Sequence, residues 1–297
     1  MNGLTIVGLA IVVLGIAYVT YGRYLAKTWG IDPNAKTTAY TNKLETSSSK
    51  TNLSGKLYSN LSTDETILRP IAYIHSDFTE KFGIPRQSGL VDTLQAKLIF
   101  TEDFRNEDCC RGIEEFSHLW LIWGFSKNPK GKWTPTIRPP RLGGNKRKGV
   151  FASRSPFRPN SLGLSSVRLE KYIPSSPEGP VLYISGADLL DKTPVYDIKP
   201  YLPFTDSHPQ AAGSFSTKAL EHQLSVHCKE DLLCLIPKEK RQSLLDCLSL
   251  DPRPSYQHDP ARIYGMEYAG FNIHFKVIDN DLFVTDITVS CETPKAY

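Results

Sequence analysis

Between residues 71 and 198 the chain alternates short apolar runs with clusters of Pro, Gly and polar residues. The runs cover 71–75, 94–100, 119–125, 150–153, 164–172, 181–187 and 195–198. Their lengths are those of strands, and no long helical period intervenes. Strands so closely spaced, with no crossover helices between them, predict an antiparallel sheet closed or nearly closed into a barrel. From 218 to 250 the pattern changes. Leu220, Leu224, Cys228, Leu232, Leu235, Leu244, Leu245 and Leu248 recur at helical spacing with a break at Pro237. Strand-like runs 263–268, 271–278 and 282–289 follow, the last two joined by Asp279-Asn280-Asp281. The fold class is therefore mainly β: an antiparallel barrel without a Rossmann unit, followed by a small α+β domain.

Residues 4–21 carry no charge and consist mostly of Ile, Val, Leu, Ala and Gly. At about 1.5 Å per residue, such a helix nearly crosses a hydrocarbon core of about 30 Å. Arg23, Lys27 and Lys36 follow it, which keeps the remainder of the chain in the cytosol if the helix is a membrane anchor. An organelle-targeting segment and an upstream extension of the reading frame stay open as other readings. On the cytosolic topology the acceptor sites at Asn52 and Asn60 carry no glycan. Residues 23–66 are rich in Ser, Thr, Asn and Lys and read as a tether. The expected division is an anchor helix at 1–22, a linker at 23–66, a barrel domain at 67–206 and an α+β domain at 207–297.

The net charge of +4 conceals a strong asymmetry. Residues 116–169 contain eleven Lys and Arg and no acid, which leaves 24 basic against 31 acidic residues elsewhere. Such a basic face suits a polyanion. Lys146-Arg147-Lys148 reads equally well as a solvated run. Arg138, Arg141, Arg154 and Arg158 do not, because Pro, Gly or Phe flanks each of them and lowers the entropy lost on holding it in place. Guanidinium groups so held suit phosphate, carboxylate or a base edge. The six cysteines show no zinc-type spacing, so reduced thiols and no structural metal are expected.

Five blocks occur in order: Phe82-Gly83-Ile84-Pro85-Arg86-Gln87, Phe116-Ser117-His118-Leu119-Trp120, residues 138–145, residues 149–160, and residues 191–201 beginning Asp191-Lys192-Thr193-Pro194. Together they strongly resemble the TrmO/TsaA-like tRNA methyltransferases, and Asp251-Pro252-Arg253-Pro254 extends the likeness toward the C-terminus. The resemblance implies a β-barrel that binds S-adenosylmethionine and methylates N6 of threonylcarbamoyladenosine at tRNA position 37. It further implies cofactor contact by Arg86, Gln87, Ser126, Lys127, Arg154, Leu164, Asp191, Lys192, Thr193 and Pro194, and it leans toward a homodimer. Lys192 stands where the family most often has glycine. The chain has no Gly-x-Gly-x-x-Gly turn between strand and helix, which agrees with a non-Rossmann site.

The acceptor nitrogen must lose a proton, for which Asp197, Tyr201 and Asp191 are the candidate bases, with turn and strand-end hydrogen bonding as their other reading. His118, in an apolar run, reads better as a core histidine, and Trp120, Trp123 and Phe125 as core packing. Arg138, Arg141, Lys146, Arg147, Lys148 and Arg158 form the expected tRNA surface, with Arg253 as an addition from the second domain. The alternative is a non-catalytic RNA- or nucleotide-binding barrel that kept the basic face. A membrane-bound adaptor is a third, weaker option.

Overall fold

The structure, a computed structural model, describes residues 66–128, 133–139, 146–213, 223–254, 257 and 259–290, with positions 14, 17, 20 and 21 near the N-terminus. Six strands close the barrel: β1 (Ala72–His75), β2 (Gln95–Phe100), β3 (His118–Gly124), β6 (Leu162–Ile173), β7 (Val181–Ser185) and β8 (Pro194–Pro200). Two short strands, β4 (Thr136–Ile137) and β5 (Lys148–Gly149), form a separate ribbon. The alternation in β3 shows why the barrel closes. Leu119, Leu121 and Trp123 are buried inside, while His118, Trp120 and Ile122 point the other way. Ala72 and Ile74 of β1, Leu98 of β2 and Leu182 and Ile184 of β7 join that core and have no measurable exposure themselves.

Strand order is β1-β2-β7-β6-β3-β8, and every pairing is antiparallel. Because neighbours alternate in direction, the connections 76–94, 125–161 and 186–193 all emerge at one end of the barrel. The connections 101–117 and 174–180 emerge at the other. One consequence decides the location of any site: the segments richest in arginine, glycine and proline share a single mouth.

After a short helix α1 (Pro203–Asp206) come β9 (Ser225–His227), α2 (Glu230–Leu233), α3 (Lys238–Ser249), β10 (Tyr264–Tyr268), β11 (Phe271–Ile278) and β12 (Asp281–Val289). Their sheet runs β10-β11-β12-β9, with β9 parallel to β12. The two-residue turn Ala269-Gly270 has positive φ at both positions, 52° and 81°, as the right-handed twist of a tight hairpin demands. Helix α3 buries Leu244, Cys247 and Leu248 against this sheet. The same core takes in Phe78, Val91, Leu94 and Leu190 from the barrel's mouth loops. The second domain thus covers and holds the loop 76–94.

Two sequence expectations need correction. Residues 150–153 are not a strand: Val150–Ala152 forms a 3-10 turn, since only Val150 finds an interior place and Phe151 stays 77% exposed. Ser225–His227, inside a stretch read as helical, is a strand because pairing with β12 overrides a weak local period. The expected anchor helix lies largely outside the described residues. Leu14, Ala17, Thr20 and Tyr21 are helical, and among the described residues no helix is long and apolar enough to cross a membrane.

Candidate active site

The three loops at the barrel mouth are bonded to one another. In the turn after β7, the Asp191 amide donates to the Phe78 carbonyl at 2.8 Å and the Lys192 amide to the Ile74 carbonyl at 2.7 Å. The Ser76 amide in turn donates to the Asp191 carboxylate at 3.3 Å. Thr193 is buried, and its carbonyl accepts from the Ile74 amide at 3.0 Å. Asp191-Lys192-Thr193-Pro194 is therefore a tight corner against the start of loop 76–94. Lys192 adopts φ 60° there, a left-handed conformation that a residue without Cβ takes more easily.

Loop 125–161 joins the same cluster through side chains. The Lys127 ammonium donates to the Thr79 carbonyl, and the Lys81 ammonium donates to the Lys127 carbonyl at 3.2 Å and to Asn128 Oδ1 at 2.7 Å. Burial, followed by the Lys127 charge, pushes Lys81 below the usual lysine range. The Arg154 guanidinium donates to Gln87 Oε1. Arg86 is held from the other side: its Nη2 donates to the Arg253 carbonyl at 3.0 Å and the Asp251 carbonyl at 3.4 Å. Thr79 Oγ1 and Asn128 Nδ2 are buried with no hydrogen-bond partner among the described residues.

Arg86, Gln87, Ser126, Lys127, Arg154 and the Asp191–Pro194 corner are thus brought to one end of the barrel. Leu164 is the third residue of β6 and 52% exposed on its outer face. Asp197 and Tyr201 are not brought there, because β8 starts at the mouth with Pro194 and runs away from it. At about 3.3 Å per residue, Asp197 lies about 10 Å and Tyr201 about 23 Å along the strand direction. Asp197 pairs with Lys199 at 3.1 Å, and the Tyr201 amide donates to the His118 carbonyl at 3.0 Å. A cleft of about 370 Å³ at that far end is lined mostly by apolar residues such as Phe100, Phe104, Cys110 and Phe116, with Arg111 and Asp197 among its polar ones.

His118 is exposed rather than a core histidine, and Trp120 points outward, donating its indole N–H to Asp206 at 2.9 Å. The parity of β3 explains both: only 119, 121 and 123 face inward. Arg138, Lys146 and Arg147 are exposed. Lys148 and Arg158 are half-buried, with Arg158 donating to the Ser153 carbonyl at 3.0 Å, and Arg141 lies outside the described residues. Arg253 is only 7% exposed and forms a two-pronged pair with Asp251 at 2.8 and 3.0 Å, so it faces no phosphate.

Sequence reasoning missed one group at the mouth. Asp188 accepts a 2.6 Å hydrogen bond from the Ser165 hydroxyl, which accepts the Trp123 indole N–H at 2.9 Å. Desolvation pushes this carboxyl above the usual range, opposed by the Ser165 hydroxyl, its own amide, the Arg154 charge and the Ser88 amide. A lone acid in the apolar run 181–190 was the available signal.

Both parts of the chain match family models: residues 73–207 match the tRNA-methyltransferase O N-terminal domain and residues 217–290 the TrmO C-terminal domain. The chain is 40% identical over 217 residues to the tRNA (adenine(37)-N6)-methyltransferase of Escherichia coli (strain K12), covering 70% of this chain and 92% of that protein. It is 38% identical over 228 residues to a putative S-adenosylmethionine-dependent methyltransferase, RcsF, of Pseudomonas aeruginosa, covering 72% and 93%. A crystal structure of TrmO from Pseudomonas aeruginosa aligns with a TM-score of 0.61 at 31% identity, over 75% of this chain and 99% of that one.

Proposed function

Because the chain belongs to the tRNA-methyltransferase O family, we propose that it carries out that family's reaction on tRNA. It is an S-adenosylmethionine-dependent tRNA methyltransferase that acts on N6 of adenine 37, with threonylcarbamoyladenosine as the form of that base it accepts. The observation that carries this reading is a match through both domains, with the expected cofactor loops sharing one barrel mouth.

S-Adenosylmethionine supplies a methyl group already activated on a sulfonium, so the protein's task is alignment. The residues present fit it. Arg154 offers a guanidinium to the amino-acid carboxylate, and the backbone of the Asp191–Pro194 corner offers an adenine-reading edge. Asp191 is the acid of the original three that sits at the mouth, and we assign it the proton of N6 ahead of Asp197 and Tyr201. Arg138, Lys146, Arg147, Lys148 and Arg158 carry phosphate contact, and Arg141 joins them by sequence. Exposed Phe151, Phe157 and Leu164 around the mouth support a homodimer. The uncharged residues 4–21 support an anchor that leaves the enzyme facing the cytosol.

The deciding experiment incubates the protein with S-adenosylmethionine and tRNA that carries threonylcarbamoyladenosine, followed by nucleoside mass spectrometry. One added methyl on that nucleoside is expected. Cofactor binding with no transfer would leave only a non-catalytic RNA- or nucleotide-binding barrel.

A further inference from the structure

Asp188 stands where the three mouth loops meet the barrel interior. It lies on loop 186–193, and its carboxylate takes the Ser165 hydroxyl of β6 at 2.6 Å. Ser165 is 1% exposed and is fixed in turn by the Trp123 indole of β3 at 2.9 Å. The loop behind it is pressed onto loop 76–94. The Gly89 amide donates to the Gly186 carbonyl at 2.9 Å, and a Cβ added at Gly186 would come within 3.4 Å of the Gly89 nitrogen. The Ser88 amide on that loop favours the ionised form of the Asp188 carboxyl. Arg154 is the cation whose field acts on it, and Arg154 itself holds Gln87. The half-buried carboxylate is therefore fixed by Ser165 and lies within the electrostatic reach of the Arg154 and Ser88 loops. Holding a charge in such a place costs stability, and a neutral side chain of the same shape would pack there more cheaply. A costly group kept at a site is the pattern of a functional constraint.

We propose that Asp188 is a positioning residue for methyl transfer: anchored by Ser165 and Trp123, it orients Arg154 and the Gln87-Ser88 segment for the amino-acid end of S-adenosylmethionine. It touches neither the donor carbon nor the acceptor nitrogen. The assignment rests on the methyltransferase reading above and adds to it a residue outside the expected cofactor set.

The test is steady-state methyl transfer by the full chain, with Asp188→Asn, Arg154→Met, the double variant and Ser165→Ala. Asp188→Asn should raise KM for S-adenosylmethionine about tenfold or more and leave KM for tRNA within about twofold. The double variant should be no more than about threefold worse than Arg154→Met, because one residue acts through the other. Ser165→Ala, which keeps the charge and removes the 2.6 Å bond, should raise KM for S-adenosylmethionine about threefold. An unchanged KM in Asp188→Asn, or single effects that multiply in full, overturns the proposal while the wild type stays active. If Asp188→Asn does not fold, an unchanged KM in Ser165→Ala overturns it. A wild type that neither binds S-adenosylmethionine nor transfers methyl overturns the functional reading, and this inference with it.

Discussion

Gly83 offers the sharpest probe of how the second domain holds the mouth. Its φ is +95°, and a Cβ built on it would lie 2.0 Å from Met266 Sδ and 2.4 Å from Met266 Cγ. Met266 is 2% exposed in β10, so it has little room to retreat. In Gly83→Ala the left-handed backbone costs about 1–2 kcal/mol. Overpacking adds about 1–3 kcal/mol. The less flexible unfolded chain returns about 0.4–1 kcal/mol. The net loss is about 1–4.5 kcal/mol, read by urea unfolding. The two costs separate in a double-mutant cycle. Met266→Ala removes both clashing atoms at its own cost of about 2–5 kcal/mol. In that background Gly83→Ala should cost only about 1 kcal/mol, the backbone part. Because the same turn leads into Arg86 and Gln87, KM for S-adenosylmethionine should rise in Gly83→Ala and recover partly in the double variant. Equal costs in both backgrounds would refute the packing argument, and a stability loss with unchanged KM would refute the coupling to the cofactor site.

Four further outcomes are expected. Lys192→Gly, at φ 60°, should stabilise the protein by about 0.5–1 kcal/mol in urea and preserve cofactor binding, as relief of left-handed strain exceeds the added chain entropy. The Asp206 carboxyl is held below the usual range by the Leu202 amide and then the Trp120 indole. Its contribution is therefore present above the ordinary aspartate range and lost as pH falls through the lowered value, so an Asp206→Asn penalty in Tm at pH 7 should shrink on acidification. Brief alkylation at pH 8 followed by peptide mapping should label exposed Cys109 and Cys234 but spare Cys110, whose thiol burial pushes up to about 11, and buried Cys247. Changing Lys146, Arg147 and Lys148 to Gln should raise KM for tRNA and lower its salt slope by about 0.7–0.9 per lost phosphate contact, with KM for S-adenosylmethionine unchanged.

Much of the barrel was readable because alternation in runs such as 94–100 and 119–125 has one physical solution, a sheet with one face inside. That the loops carrying Arg86, Arg154 and the Asp191–Pro194 corner leave the barrel at one end follows from strand direction. What could not be read is held by distant pairings. Ser225–His227 is a strand only because β12 lies beside it. The docking of Phe78 and Leu190 into the second domain's core, and the grip of the Asp251 and Arg253 carbonyls on Arg86, leave no local period. Asp188 was overlooked for a related reason: its partners Ser165 and Trp123 lie 23 and 65 positions away in the chain. Asp197 and Tyr201 follow the Asp191–Pro194 corner in sequence, and the direction of β8 carries them away from the mouth.

The most direct measurement is nucleoside mass spectrometry of tRNA treated with the protein and methyl-labelled S-adenosylmethionine. The account predicts label in one methyl on N6 of the modified adenosine at position 37, with a sharply reduced yield in Arg154→Met when S-adenosylmethionine is limiting. Label at another nucleotide, or full labelling by Arg154→Met under that limitation, would contradict it.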